Sequence, residues 1–187
     1  MKRLPILLAI ILLLTSCWDD SIFGTKTSKY EIHYTTSDGE PVHIQYTLLS
    51  GFGHVVVSNT YENSKGVIAF DAPVTSIGYG AFSGCTSLTS VTIGNSVTSI
   101  GSYAFLYCDS LTRVDITDLS AWCKISFGYD ANPLCHGAKL YLNGSELTEI
   151  TIPSDITEIK AYAFYNCTSL TSVTIGNSVT SIGDSAF

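Results

Sequence analysis

Apolar and polar positions in this chain follow one short cycle. In Leu88-Thr89-Ser90-Val91-Thr92-Ile93 the residues Leu88, Val91 and Ile93 are apolar, and Ser90 and Thr92 alternate with the last two. That is the pattern of a short strand with one buried edge. Gly94-Asn95-Ser96 follows with turn chemistry, including residues that tolerate positive φ. Val97 and Ile100 supply a second inward pair. The segments Ala81–Cys85 and Ala104–Cys108 are too short for a stable helix and read as one helical turn each, with Ala, Phe and Cys inward.

The cycle recurs in one frame. "VTSIGYGAFSGCTSLTSVTIGNS" at 74–96 is followed by "VTSIGSYAFLYCDSLTRVDITDL" at 97–119, then "ITEIKAYAFYNCTSLTSVTIGNS" at 156–178 and "VTSIGDSAF" at 179–187. The 17-residue text "CTSLTSVTIGNSVTSIG" appears twice without change, at Cys85–Gly101 and Cys167–Gly183. The period is 23 residues, which points to a solenoid. The frame leucines fall at 88, 111, 147 and 170, so one coil, at about 119–146, is 13 residues longer than the others. The expected fold is therefore a β-rich solenoid of short parallel strands and single helical turns. Stacking at roughly 4.8 Å per coil puts equivalent residues into columns. Phe82, Phe105, Phe164 and Phe187 form one, and Cys85, Cys108 and Cys167 form another, as small buried hydrophobes.

The two ends differ from the middle. Tyr30, Ile32 and Tyr34 alternate on one side of Ser37-Asp38-Gly39-Glu40, with Val42 and Ile44 on the other, which predicts a β-hairpin. Residues 29–73 are read as this cap plus a first coil, and 74–187 as the repeat array. The text stops at Ala186-Phe187 in mid-unit, the expectation being a truncated array.

The N-terminus reads as an export signal. Met1-Lys2-Arg3 precedes an 11-residue apolar run, Leu4 to Leu14, short of the roughly 20 residues that span a bilayer. Leu14-Thr15-Ser16-Cys17 resembles a bacterial lipobox, in which residues 1–16 are removed and Cys17 carries the lipid. Residues 17–28 become a tether. "CWDDS" resembles the acidic tag that sends lipoproteins of some Gram-negative anaerobes to the exterior face of the outer membrane. Loss of Lys2 and Arg3 leaves seven basic against 16 acidic residues, and no basic cluster, which excludes nucleic acid as an expected partner. The odd set Cys85, Cys108, Cys123, Cys135 and Cys167 cannot pair completely, and a bridge between Cys123 and Cys135 is left open.

The repeating residues Ile77-Gly78, Ala81-Phe82, Cys85, Leu88, Val91 and Ile93, with their later counterparts, resemble the BspA-type leucine-rich repeat of bacterial surface proteins, over about residues 50–187. Within the long coil, "DLSAWCKISFG", "NPL" and "LYLNG" resemble the irregular coil of such proteins. The resemblance implies adhesion to host matrix protein or to other cells. The alternatives are a nutrient-capture lipoprotein that holds glycan or peptide for a transporter, and a non-catalytic domain of a larger surface protein.

No catalytic constellation is legible. His33, His43, His54 and His136 form no HExxH, no GxSxG occurs, and Gly51-Phe52-Gly53 lacks the rest of a phosphate loop. The reading is a non-enzyme with no cofactor and no metal. Its candidate surface is the outward strand column Thr92, Asp115, Thr151 and Thr174, flanked by Ser90, Arg113, Glu149 and Ser172. Arg113, Asp115 and Glu149 break the Ser/Thr monotony and are the expected seat of selectivity. Trp122 is expected to plug the irregular coil, and Tyr129, between Gly128 and Asp130, to be exposed.

Overall fold

The computed structural model describes residues 29–44 and 51–187. The signal segment, Cys17 and the tether lie outside the described residues. Three longer strands come first, Tyr30–Thr36 (β1), Val56–Glu62 (β2) and Lys65–Phe70 (β3). Short ones come next: Ser76–Ile77 (β4), Leu88–Thr92 (β5), Ser99–Ile100 (β6) and Arg113–Ile116 (β7). The long coil holds a five-residue helix, Leu119–Cys123 (α1), with Ser126–Phe127 (β8), Lys139–Leu142 (β9) and Ser145–Glu146 (β10). The last coils carry Glu149–Thr151 (β11), Glu158–Ile159 (β12), Ser172–Thr174 (β13) and Ser181–Ile182 (β14).

The 23-residue period becomes strand register. Ser90 pairs with Arg113, Val91 with Val114 and Thr92 with Asp115, all parallel. On the opposite side of each coil Ser76 pairs with Ser99 and Ile77 with Ile100. Leu88, Val91, Val114, Ile77 and Ile100 face inward and are buried, as their alternation demands. Phe82 and Phe105 stack at 5.1 Å with rings 8° from parallel, and Phe164 and Phe187 repeat this at 5.4 Å.

The Ala-Phe-x-x-Cys segments form tight turns instead of helical turns. Ala81 N–H bonds Gly78 O, Ser83 N–H bonds Gly80 O and Cys85 N–H bonds Phe82 O, while Gly80 and Gly84 adopt φ of 61° and 76°. The later coils keep these left-handed positions with Tyr103, Tyr107, Tyr162 and Asn166. The left-handed residues turn alternate N–H groups toward the next coil, so Phe82 N–H reaches Ala104 O at 2.8 Å and Phe164 N–H reaches Ala186 O at 2.7 Å. The thiols of this column are buried, and all five described cysteines are free, so Cys123 and Cys135 do not pair. Cys108 Sγ donates to Phe82 O at 3.1 Å across one coil.

The N-terminal cap differs from the expected hairpin. Residues 41–44 form no strand, although Val42 and Ile44 are buried. Instead β1 runs antiparallel between β3 and β5, with Ile32 opposite Ile68 and Tyr34 opposite Val91. The chain does bend at Asp38-Gly39, where Gly39 adopts φ 75° and Asp38 accepts from Glu40 N–H, but β1 has two better partners, one of them the first repeat strand. The hairpin of this region is β2–β3, closed by Asn63-Ser64 at φ 50° and 63°.

The long coil interrupts the stack. Arg113 pairs with Lys139, 26 residues on, and Asn143-Gly144 then turns β9 back into antiparallel β10. The 36-residue leucine interval is thus a 26-residue coil followed by a hairpin, and not a single lengthened coil. β10 covers the edge of β9, so β11 pairs only with β13 and β12 only with β14. Side chains bridge the gap that the ladder leaves. Trp122 Nε1 donates to Ala163 O at 2.9 Å, Asn132 Nδ2 to Tyr162 O at 2.6 Å, and Asn166 Nδ2 to Cys135 O at 2.8 Å. Lys124 and Ser120 both reach Asp155. The same break accounts for one irregularity of the repeat. A Cβ on Gly101 would lie 2.7 Å from Tyr79 N, and one on Gly128 would lie 2.6 Å from Ser102 N, so the regular coils need glycine. Lys160 occupies the same column where β8 and β12 do not pair.

Candidate functional site

The sheet face formed by β5, β7, β9 and β10 presents a connected array of charged and aromatic side chains. Arg113 projects from β7 and forks onto Asp115 two residues on, with Nε–Oδ2 at 2.7 Å and Nη2–Oδ1 at 2.6 Å. Its guanidinium carbon sits 3.9 Å from the Tyr141 ring centroid on β9, a cation–π contact. Lys139, at the start of β9, holds Glu146 of β10 at 2.9 Å, and the Tyr141 hydroxyl donates to the same carboxylate at 3.4 Å. Donating to Asp115 pushes the pKa of the Arg113 guanidinium above its ordinary value, and donating to Glu146 does the same for Lys139. Two cations and two carboxylates are thereby paired on a backbone spacing set by the strands. The patch is close to neutral, and its charged side chains are held by one another.

Toward the cap the same face turns to hydroxyls. Thr35 on β1 bonds Thr89 at 2.7 Å and Ser90 at 2.6 Å. A shallow cleft of about 200 Å³ opens there between His33, Thr35, Lys65, Ser90 and Thr92. His33 Nε2 lies 3.1 Å from Glu31 Oε2.

The structure separates the residues that the sequence grouped. Thr92, Arg113 and Asp115 share one face, Thr92 lying opposite Asp115 in the ladder. Glu149, Thr151 and Thr174 are exposed on the second sheet, with Glu149 opposite Ser172 and Thr151 opposite Thr174. The β9–β10 hairpin stands between the two groups in chain order. Tyr129 lies on the turn edge, away from either strand column, and is 68% exposed. Trp122 is buried against Phe127 at 5.3 Å and fills the irregular coil. Lys139, Tyr141 and Glu146 were not expected to join the face. Their signal was the alternation Lys139-x-Tyr141 followed by Asn143-Gly144, a hairpin turn that alignment on Leu147 conceals.

Among the described residues no three His, Cys, Asp or Glu side chains converge as a metal site, and no helix is long and apolar enough to cross a membrane. Burial pushes the Cys108 and Cys123 thiols up to about 12, so neither is a nucleophile at neutral pH.

The chain is similar in part to several proteins of known structure. The structure of a leucine-rich cell surface protein from Faecalibacterium prausnitzii is similar, with 27% identity and a TM-score of 0.38. The alignment covers 86% of this chain and 45% of that one. A leucine-rich repeat protein of Bacteroides ovatus shares 23% identity, with a TM-score of 0.34 over 78% of this chain and 42% of that one. The chain thus spans about half the length of these relatives. A leucine-rich repeat protein of T. pallidum matches at 22% identity with a TM-score of 0.32, over 60% of this chain and 68% of that one. No curated protein matches the chain by sequence. The BspA type leucine-rich repeat region matches in six copies, over residues 56–129 and 137–187, with a break that falls inside the long coil. The chain belongs to the BspA-type leucine-rich repeat family.

Proposed function

We propose that this is a lipid-anchored binding module displayed at the cell exterior, which adheres to a host matrix protein or to another cell through its β5–β7–β9 face. The observation that carries the proposal is the pre-paired network of Arg113, Asp115, Lys139, Tyr141 and Glu146. A side chain already held in place loses little rotamer entropy on docking, and Tyr and Arg are the residue types that most often dominate protein interfaces. Membership of a surface repeat family, and the cell-surface description of the F. prausnitzii relative, support the same reading. Cys17 would supply the anchor in the outer membrane.

The test uses the mature chain without its lipidated Cys17, residues 18–187, against immobilised matrix proteins and whole cells. Binding is expected to fall by about tenfold or more in Tyr141→Ala, whose ring backs Arg113. Thr174→Ala, on the second sheet, serves as the control and should bind normally. Absence of binding to every surface, or failure of antibody to reach the protein on intact bacteria, would defeat the proposal. Loss of lipid labelling in Cys17→Ala tests the anchor separately.

A further inference from the structure

The interrupted stack leaves a second surface that the adhesive face does not use. On the turn edge, Tyr79, Tyr103 and Tyr129 succeed one another from coil to coil, with centroids 5.6 Å apart at each step. Two of them are largely exposed, Tyr79 at 72% and Tyr129 at 68%. Beyond Tyr129 the backbone ladder stops, and a cleft of about 220 Å³ opens between the long coil and the next turn. Tyr129 forms one lip, Tyr162 and Tyr165 the other, and Asp130 lines the same cleft. The last two rings pack edge to face at 5.9 Å. The Asn132 amide in the floor is spent on Tyr162 O, Ala163 O and Leu134 N–H, so it fixes the shape of the cleft and offers nothing to a ligand. The three phenol hydroxyls make no hydrogen bond among the described residues.

We infer that this cleft binds one ring of a neutral oligosaccharide, whose chain continues along the Tyr103 and Tyr79 edge. A pyranose offers an apolar C–H face to an aromatic ring and hydroxyl donors around its rim. The lips supply rings, Asp130 supplies an acceptor, and the phenols supply donors. No Lys or Arg lines the cleft, so an anionic sugar, a phosphate or a sulfate would meet the Asp130 carboxylate without compensation. A proline-rich peptide also docks on aromatic grooves, but proline has no N–H for the carboxylate to accept, and the hydroxyl-rich ligand uses every group present. The site is independent of the adhesive face.

Calorimetric titration of residues 18–187 with a panel of neutral gluco-, galacto-, manno- and N-acetylglucosamine oligosaccharides tests the assignment, with a sialylated glycan and a proline-rich peptide alongside. Saturable binding is expected from at least one neutral member, weakened by about tenfold or more in Tyr129→Ala and Tyr165→Ala. Asp130→Asn should weaken it less, and Tyr141→Ala should leave it unchanged. Circular dichroism of each variant separates loss of ligand from loss of fold. The assignment is overturned if no neutral sugar binds up to about 10 mM, above the range of a weak specific site, or if binding ignores Tyr129 and Tyr165. It is equally overturned if the sialylated glycan or the peptide is the one that depends on them.

Discussion

Replacing Asn132 by Asp exchanges one NH2 for oxygen at a site only 1% exposed, where the surrounding geometry sets the cost. The amide donates to Tyr162 O at 2.6 Å and to Ala163 O at 3.3 Å, while its own oxygen accepts from Leu134 N–H at 2.9 Å. An ionised Asp keeps the last contact and turns an oxygen toward the two carbonyls. Ala163 O retains Trp122 Nε1, but Tyr162 O loses its side-chain donor. Two lost hydrogen bonds at about 1 kcal/mol each, plus the desolvation of an uncompensated charge, give about 3–5 kcal/mol at pH 7. Protonation relieves most of it, because a neutral carboxyl can donate to Tyr162 O. The folded-state pKa of the new group therefore lies above its unfolded value of about 3.9. For an acid shifted upward the native state holds the extra proton, so the penalty is small at pH 4, grows as pH rises toward the folded pKa and beyond, and levels off above it. Urea unfolding of residues 18–187, monitored by far-ultraviolet circular dichroism at pH 4 and pH 7, measures both values. We expect about 1 kcal/mol at the lower pH, since one hydrogen bond is restored imperfectly. A cost below about 1 kcal/mol at pH 7, or the same cost at both pH values, would refute the claim that Asn132 bridges the two stacks as a donor.

Other substitutions probe the same architecture. Gly101→Ala should destabilise by about 2–3 kcal/mol in chemical denaturation, because its Cβ would press on the Gly78–Tyr79 backbone, which cannot yield; Lys160→Ala, at the position of that column where β8 and β12 do not pair, should change stability by under about 0.5 kcal/mol. Trp122→Phe removes the Ala163 hydrogen bond and part of the plug. It should split the urea transition into two steps, the coils after β10 melting first by hydrogen exchange. Tyr107 is exposed at φ 60°, so Tyr107→Asn, which places there the residue type found at the equivalent Asn166, should raise stability by about 0.5 kcal/mol. Ellman's reagent at pH 8 should leave Cys108 and Cys123 unmodified in the folded chain and label all thiols in urea, since burial holds both thiols near 12.

The repeat was legible because its physics is local. Leu88, Val91 and Ile93 announce a one-sided strand, and a fixed 23-residue spacing leaves equivalent residues nowhere to go but into register. What was not legible depends on partners distant in sequence. Tyr30-x-Ile32-x-Tyr34 specifies a strand with one buried face, but hydropathy is silent about which edge it takes, and β1 chose β3 and β5 over residues 41–44. The Ala-Phe-x-x-Cys turns misled for a similar reason. Nothing in their composition says that alternate N–H groups will face the next coil, although Gly80 and Gly84 mark the left-handed positions that do this. At the candidate face, Arg113 and Asp115 stood out as charges in a Ser/Thr column. Tyr141 could be placed beneath Arg113 only once the 26-residue coil was distinguished from the hairpin that comes after it.

The junction between the stacks also determines how the molecule carries force. Pulling two adjacent coils apart within either stack means breaking main-chain hydrogen bonds on the strand side and the turn side together. At the junction the same pull meets the side-chain contacts of Ser120, Trp122, Lys124, Asn132 and Asn166. Under axial load extension is expected to begin there, with the N-terminal coils keeping their structure longest. A load applied along the coil axis thus meets a built-in yielding point, and its threshold is written in a handful of replaceable residues.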